Sequence, residues 1–113
     1  MTFQSDRRFE LWDYSPSHSR LLLRSPRNQT EGTTTNLDVI FRGVDRIDLP
    51  TLFHGLTITE DPEQDHPDRE PGQYLVTYLL RTATGEFRID ALRFSSNENR
   101  MEIFDSPLDS VHD

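Results

Sequence analysis

The chain has 113 residues, a formal net charge of −8 and no cysteine. That length sets one domain. The missing cysteines exclude disulfides, thiolate zinc sites and thiol nucleophiles, and the negative charge argues against nucleic acid or an anionic membrane as a partner. All twelve basic residues are arginine, a side chain whose planar fork favours carboxylate partners. The amino terminus has no apolar run after its charges, and no stretch approaches the ~20 apolar residues of a membrane span. A soluble cytoplasmic protein is the expectation.

Residues 8–14, R-F-E-L-W-D-Y, form the first expected strand, with Phe9, Leu11 and Asp13 on one face and Glu10, Trp12 and Tyr14 on the other. Ser15-Pro16-Ser17-His18 reads as a turn, and residues 19–25 as the returning strand. The hairpin register decides the role of Trp12. A four-residue loop pairs Trp12 with Leu21 and puts the indole in the core beside Leu21 and Leu23. A five-residue loop turns it to the opposite face beside Arg20 or Leu22. The core placement is preferred; the other leaves Trp12 and Tyr14 as a partner-contact surface.

Residues 26–35 are polar and carry Gly32, a loop or hairpin tip. Residues 36–42 make a third strand, with Leu37, Val39 and Phe41 opposed to Asp38, Ile40 and Arg42. Gly43 interrupts the run before Val44–Leu49 resumes it, which marks a bulge or corner that carries the chain onto a second sheet or around a barrel. Pro50–Leu56 fits one helical turn, opened by proline and closed by glycine, or an irregular strand; the turn is preferred. A short strand at 57–59 precedes the segment 60–72, E-D-P-E-Q-D-H-P-D-R-E-P-G, which is too polar to pack.

The stretch Gln73–Ser95 reads as a central hairpin. Its first arm, Tyr74–Leu80, is apolar on both alternating faces and so belongs inside a sheet. Its turn is Thr82-Ala83-Thr84-Gly85, with Gly85 expected in the left-handed conformation. In the return arm Phe87 and Ile89 are out of phase with Leu92 and Phe94, so a bulge is expected near Asp90-Ala91. Residues 96–100 read as a polar connection. Met101–Phe104 reads as a last strand, with a short helix as the alternative because Ser95-x-x-Glu98 is a capping box. An acidic, frayed tail follows at 105–113.

The acidic segment is the one dense cluster of liganding groups: Asp61, Glu63, Asp65, Asp68 and Glu70 offer carboxylates and His66 an imidazole. Its spacing lacks the glycine and terminal glutamate of a calcium-binding helix-loop-helix. It reads as an electrostatic docking site for a basic partner or as a solvated loop. Of the four histidines, His54 stands out because it sits at an expected bend between apolar residues. There is no G-x-S-x-G elbow, no phosphate-binding loop and no convergent carboxylate pair, so no catalytic residue is assigned. If there is a site, it is expected at the end of the central hairpin away from its turn.

The motifs S-R-L-L-L-R-S, V-I-F-R-G-V-D-R-I-D-L-P and H-G-L, within Ser19–Leu56, resemble a pattern in small uncharacterised bacterial all-β proteins. That resemblance implies a fold and no activity. Short strands divided by turn signals give an all-β antiparallel sandwich or flattened barrel of about seven strands with at most one short helix. The functional expectation is a small acidic interaction module for a basic protein partner, a toxin-neutralising immunity protein being one concrete form. The alternative is a small-ligand or metal-binding β protein with its site near His54 and the acidic loop. No cofactor is expected, and edge strands without lysine protection suggest a homodimer.

Overall fold

The computed structural model describes residues 2–61 and 75–101. They form eight antiparallel strands: β1 (Phe3–Ser15), β2 (Arg20–Ser25), β3 (Asn36–Arg42), β4 (Arg46–Asp48), β5 (Leu52–Glu60), β6 (Val76–Thr82), β7 (Gly85–Ala91) and β8 (Arg93–Asn99). Their order is β4-β7-β6-β5-β1-β2-β3-β8. The all-β class is as expected, with eight strands where about seven were anticipated. Among the described residues the one helical element is a 3-10 turn at Gln29–Glu31, and no helix is long and apolar enough to cross a membrane.

The order has a physical cause that begins at Gly43. Strands β3 and β4 are consecutive in the chain yet lie near opposite ends of the sheet, and so do β7 and β8. Each pair is one extended run with a corner in it. The runs pair from Asn36↔Asn99 to Arg42↔Arg93, then from Arg46↔Asp90 to Asp48↔Arg88, with a one-residue shift between the two stretches. At the corner Gly43 has φ 65°, a conformation that side chains with a Cβ rarely adopt. The Leu92 side chain fills the space that a Cβ on residue 43 would need, 2.5 Å away. The Leu92 amide donates to the Arg42 carbonyl at 3.0 Å and the Asp45 amide to the Asp90 carbonyl at 2.8 Å, which keeps both strands paired around the bend.

Folding at this corner brings two halves face to face, β8-β3-β2-β1 and β5-β6-β7-β4. Phe9, Leu21, Leu23, Val39 and Phe41 from the first half meet Phe53, Leu56, Ile58, Tyr78, Leu80 and Ile89 from the second in one core. The Tyr78 ring lies 5.5 Å from that of Phe41 and 5.2 Å from that of Phe94, contacts made across the layers. Each large apolar side chain buried this way contributes about 1.5–3 kcal/mol. β6, the first arm of the central hairpin, runs between β5 and β7, inside the sheet as its two-sided apolar pattern predicts.

Several local expectations change. Pro50–Leu56 is not a helical turn: β5 starts at Leu52, and Gly55, with φ 72°, sits opposite a bulge in β1 between Ser5 and Arg8. Of the two residues that suggested a turn, Pro50 precedes β5 and Gly55 answers that bulge. Residues 96–99 are not a connection but most of β8, held by β3 across Asn36–Arg42; their polarity reflects an edge strand with exposed side chains. Gly85 is not among the glycines with positive φ; it pairs directly with Thr82 and leaves a two-residue loop at Ala83-Thr84. The phase change in the return arm is real and falls at the Leu92 corner. Met101 lies outside any strand, and the rest of the expected final strand or helix, residues 102–104, lies outside the described residues.

Trp12 overturns the preferred register. Ser15 pairs with Arg20, Tyr14 with Leu21 and Asp13 with Leu22, but Leu11 pairs with Leu23, so Trp12 is the extra residue of a bulge. Its indole packs on Leu22 and Ile40, a second apolar cluster on the opposite side of β2 and β3 from the main core. The bulge achieves with one inserted residue what the five-residue loop would have done by changing parity.

Candidate binding surfaces

Two clefts form at the two ends of the central hairpin. The first surrounds His54. The bulge in β1 leaves Asp6 and Arg7 opposite Gly55. Arg7 turns inward, its Nε donating to Ser25 Oγ at 3.0 Å and its Nη2 to the Ser25 carbonyl at 3.1 Å. Arg8 pairs across the strands with His54, and its Nε lies 3.2 Å from the Glu31 carboxylate. Glu31 is placed by the 3-10 turn, which Asn28 caps by accepting from the Thr30 amide at 2.9 Å. Gly32 closes it with φ 77°. The result is a groove of about 320 Å³ lined by Asp6, Arg7, Arg8, Glu31, Thr33 and His54. It presents cation, carboxylate and imidazole together, a set suited to a small polar ligand or to a charged side chain.

This groove is at the turn end of the hairpin, since the His54 carbonyl accepts from the Ala83 amide at 2.8 Å. Asp61 is at the other end, its amide bonded to the Thr77 carbonyl at 2.8 Å, about 23 Å further along the strand direction at ~3.3 Å per residue. His54 and the start of the acidic segment therefore do not meet. Glu63, Asp65, His66, Asp68 and Glu70 lie outside the described residues. Among those described, no group of three or more His, Asp or Glu side chains is placed to hold a metal ion.

The second cleft is at the end where a site was expected. Arg46 faces Asp90 and Asp48 faces Arg88 across β4 and β7. With Thr77 these four line a cavity of about 130 Å³. The buried Thr77 hydroxyl donates to the Asp90 carboxylate at 2.6 Å.

The outer face of β2, β3 and β8 holds the feature that sequence reasoning missed. Arg24 and Asp38 are fully buried there. Asn99 donates to the same carboxylate at 2.7 Å, and Asn36 donates to Asn99 Oδ1 at 3.2 Å and to the Met101 carbonyl at 3.0 Å. The Arg24 guanidinium lies 5.4 Å from the Trp12 ring centre. One signal was available: Leu21, Leu22 and Leu23 in succession mean that β2 is buried on both faces, so Arg24 must be buried as well. Further along this face Arg20 stands opposite Arg42, and Arg42 opposite Arg93. Burial, then the charges of Arg20 and Arg93, lower the pKa of Arg42 from its ordinary value.

Of the aromatic pair, Trp12 is half-buried while Tyr14 is 40% exposed. Trp12 lines a shallow groove of about 420 Å³ with Glu10, Leu11, Thr51 and the exposed Leu52. The Leu11 amide bonds the Thr51 carbonyl at 2.8 Å and sets its floor.

The charge of the chain is unevenly placed. Residues 62–74 carry Glu63, Asp65, Asp68 and Glu70 against Arg69 alone, and residues 102–113 carry Glu102, Asp105, Asp109 and Asp113 with no arginine. The described residues hold the other 12 carboxylate side chains and 11 arginines, and are close to neutral. No family model, curated protein or solved structure matches this chain.

Proposed function

We propose that the protein is a small interaction module that docks a basic protein partner. The observation that supports this most is the separation of charge: a nearly neutral sheet carries almost all of the net charge of −8 in two segments, 62–74 and 102–113. A concentrated negative field steers a basic partner and weakens as salt rises. The apolar Leu52 and half-buried Trp12, beside Glu10, supply a contact patch on the sheet itself. Neutralisation of a basic toxin is one concrete form of such a module.

The test is titration of the full chain with a labelled arginine-rich peptide, alongside a variant with Glu63, Asp65, Asp68 and Glu70 changed to their amides. Binding at low salt that falls with added salt and with the amide substitutions supports the reading. Equal binding by both chains removes it.

A second reading has its own observation, the His54 groove with Arg8 and Glu31 on its wall. It proposes a small polar ligand there. Melting the protein alone and with a panel of small polar metabolites tests it; a midpoint that stays fixed across the panel removes it.

A further inference from the structure

The guanidinium of Arg8 has hydrogen-bonding capacity that the protein leaves unspent. Arg7, Arg24, Arg42 and Arg81 each donate hydrogen bonds to protein oxygens. The Arg8 side chain is 28% exposed and its Nε lies 3.2 Å from Glu31 Oε1, yet that Nε is buried without a hydrogen bond. Among the described residues the rest of its fork donates none either. A buried donor left this way costs desolvation energy that nothing in the protein returns. The groove around Arg8 is also preformed. Arg7 ties the bulge in β1 to Ser25 and to the Thr35 carbonyl, the two ends of the loop that carries Glu31 and Thr33. That loop is closed on itself by backbone pairing of Asn28 with Thr33. His54 stands directly across from Arg8 on β5. Asp6 and His54 are exposed, and among the described residues neither side chain has a hydrogen bond or ion pair. Two arginines balance two carboxylates here, so the groove holds both signs of charge apart with little net field. Its volume of about 320 Å³ is at the small end of the ~300–1,000 Å³ of small-molecule sites.

We infer that the His54 groove binds a small zwitterion, a free amino acid, with its carboxylate on Arg8 and His54 and its ammonium on Asp6. This names a ligand class for the second reading of the groove and rests on that reading. The carboxylate gives the Arg8 fork two parallel N–H···O bonds and replaces Glu31, which lies within ion-pair distance but accepts no hydrogen bond from Arg8. Glu31 is 42% exposed and returns to water at little cost. The imidazole of His54 adds a further donor, and the three donors of the ammonium meet Asp6. Each half of the ligand thus satisfies a group that has no partner within the described residues. An anion alone would face Asp6 and Glu31, and a cation alone would face Arg7 and Arg8; the dipolar ligand escapes both repulsions.

Calorimetric titration of the full chain with each of the common amino acids tests it, alongside propionate and ethylamine, which are alanine without its ammonium or its carboxylate. The expected result is a one-to-one complex with at least one amino acid and none with either half-molecule. Arg8→Met should weaken that complex about 10- to 100-fold. Asp6→Asn, a change at an exposed bulge position that leaves the fold intact, should weaken it about tenfold. Glu31→Gln removes a competitor for Arg8 and should tighten it about two- to fivefold, the opposite of what losing a merely structural wall residue would do. Arg81→Met, the loss of an exposed arginine outside the groove, should leave it unaltered. A chain that binds no amino acid, or binds propionate as tightly as alanine, overturns the inference. If another polar metabolite then binds with the same dependence on Arg8, the groove remains a ligand site and only the zwitterion falls. An amino acid bound equally by wild type, Arg8→Met and Asp6→Asn overturns both.

Discussion

Arg24 and Asp38 stand directly opposite each other on neighbouring strands, both without solvent exposure, joined by hydrogen bonds of 2.7 and 3.0 Å. A buried pair of this kind costs desolvation energy that its geometry must offset, and removing one partner strands the other charge. Asp38→Ala should therefore destabilise the protein by about 3–5 kcal/mol. The double change Arg24→Met with Asp38→Leu should recover most of that loss. Urea denaturation of the single and double variants checks both, and a double variant as unstable as the single one contradicts the account.

Gly43 and Leu92 make the corner together. Gly43→Ala combines a left-handed φ with a clash against the Leu92 side chain, and should destabilise by about 1–3 kcal/mol. Adding Leu92→Ala relieves the clash but leaves the backbone strain. Thermal melting should show partial recovery in the double variant, neither none nor all.

Tyr78 links stability to alkaline pH. Burial, reinforced by the charge of Glu60, raises its pKa above the ordinary value. The folded protein therefore holds the phenolic proton more tightly than the unfolded chain does. This contribution is fully present below the unfolded value of about 10 and is lost as pH rises through the folded value. The chain has no lysine, so no ammonium side chains titrate across the same range. Stability measured by urea should fall above about pH 10, and Tyr78→Phe should flatten that fall. An unchanged profile in the phenylalanine variant places the cause elsewhere.

Trp12 offers a spectroscopic check on the bulge. It is the single tryptophan, half-buried against Leu22 and Ile40 and near Arg24. Its emission should lie to the blue of free indole, iodide should quench it only in part, and Arg24→Met should shift it. Full quenching by iodide, with no response to Arg24→Met, contradicts the packing described.

The parts of the fold visible in the sequence are those where one local rule acts alone. The strand at 36–42 and the corner at Gly43 follow from alternation and a single glycine, and the interior place of β6 follows from its two apolar faces. Errors arise where a bulge shifts the phase. Trp12 and Gly55 each sit at a one-residue offset that alternation alone reads as a change of face or of element. β8 was hidden for another reason: its residues are polar because they are exposed, and only the pairing with β3 makes them a strand. For the candidate surfaces, His54 could be picked out in the sequence, but Asp6, Arg8 and Glu31, which share its groove, come from distant elements that no spacing links. The same holds for the arginine row, which exists only once the register of three strands is known.

The long shared run of β3–β4 with β7–β8 also sets a schedule for synthesis. Arg42 must wait for Arg93, about fifty residues later, which at roughly 5–20 residues per second is several seconds on the ribosome. During that interval β3, with Val39, Ile40 and Phe41 in succession, has β2 on one flank and nothing on the other. The newborn chain is most vulnerable to misassociation in that window.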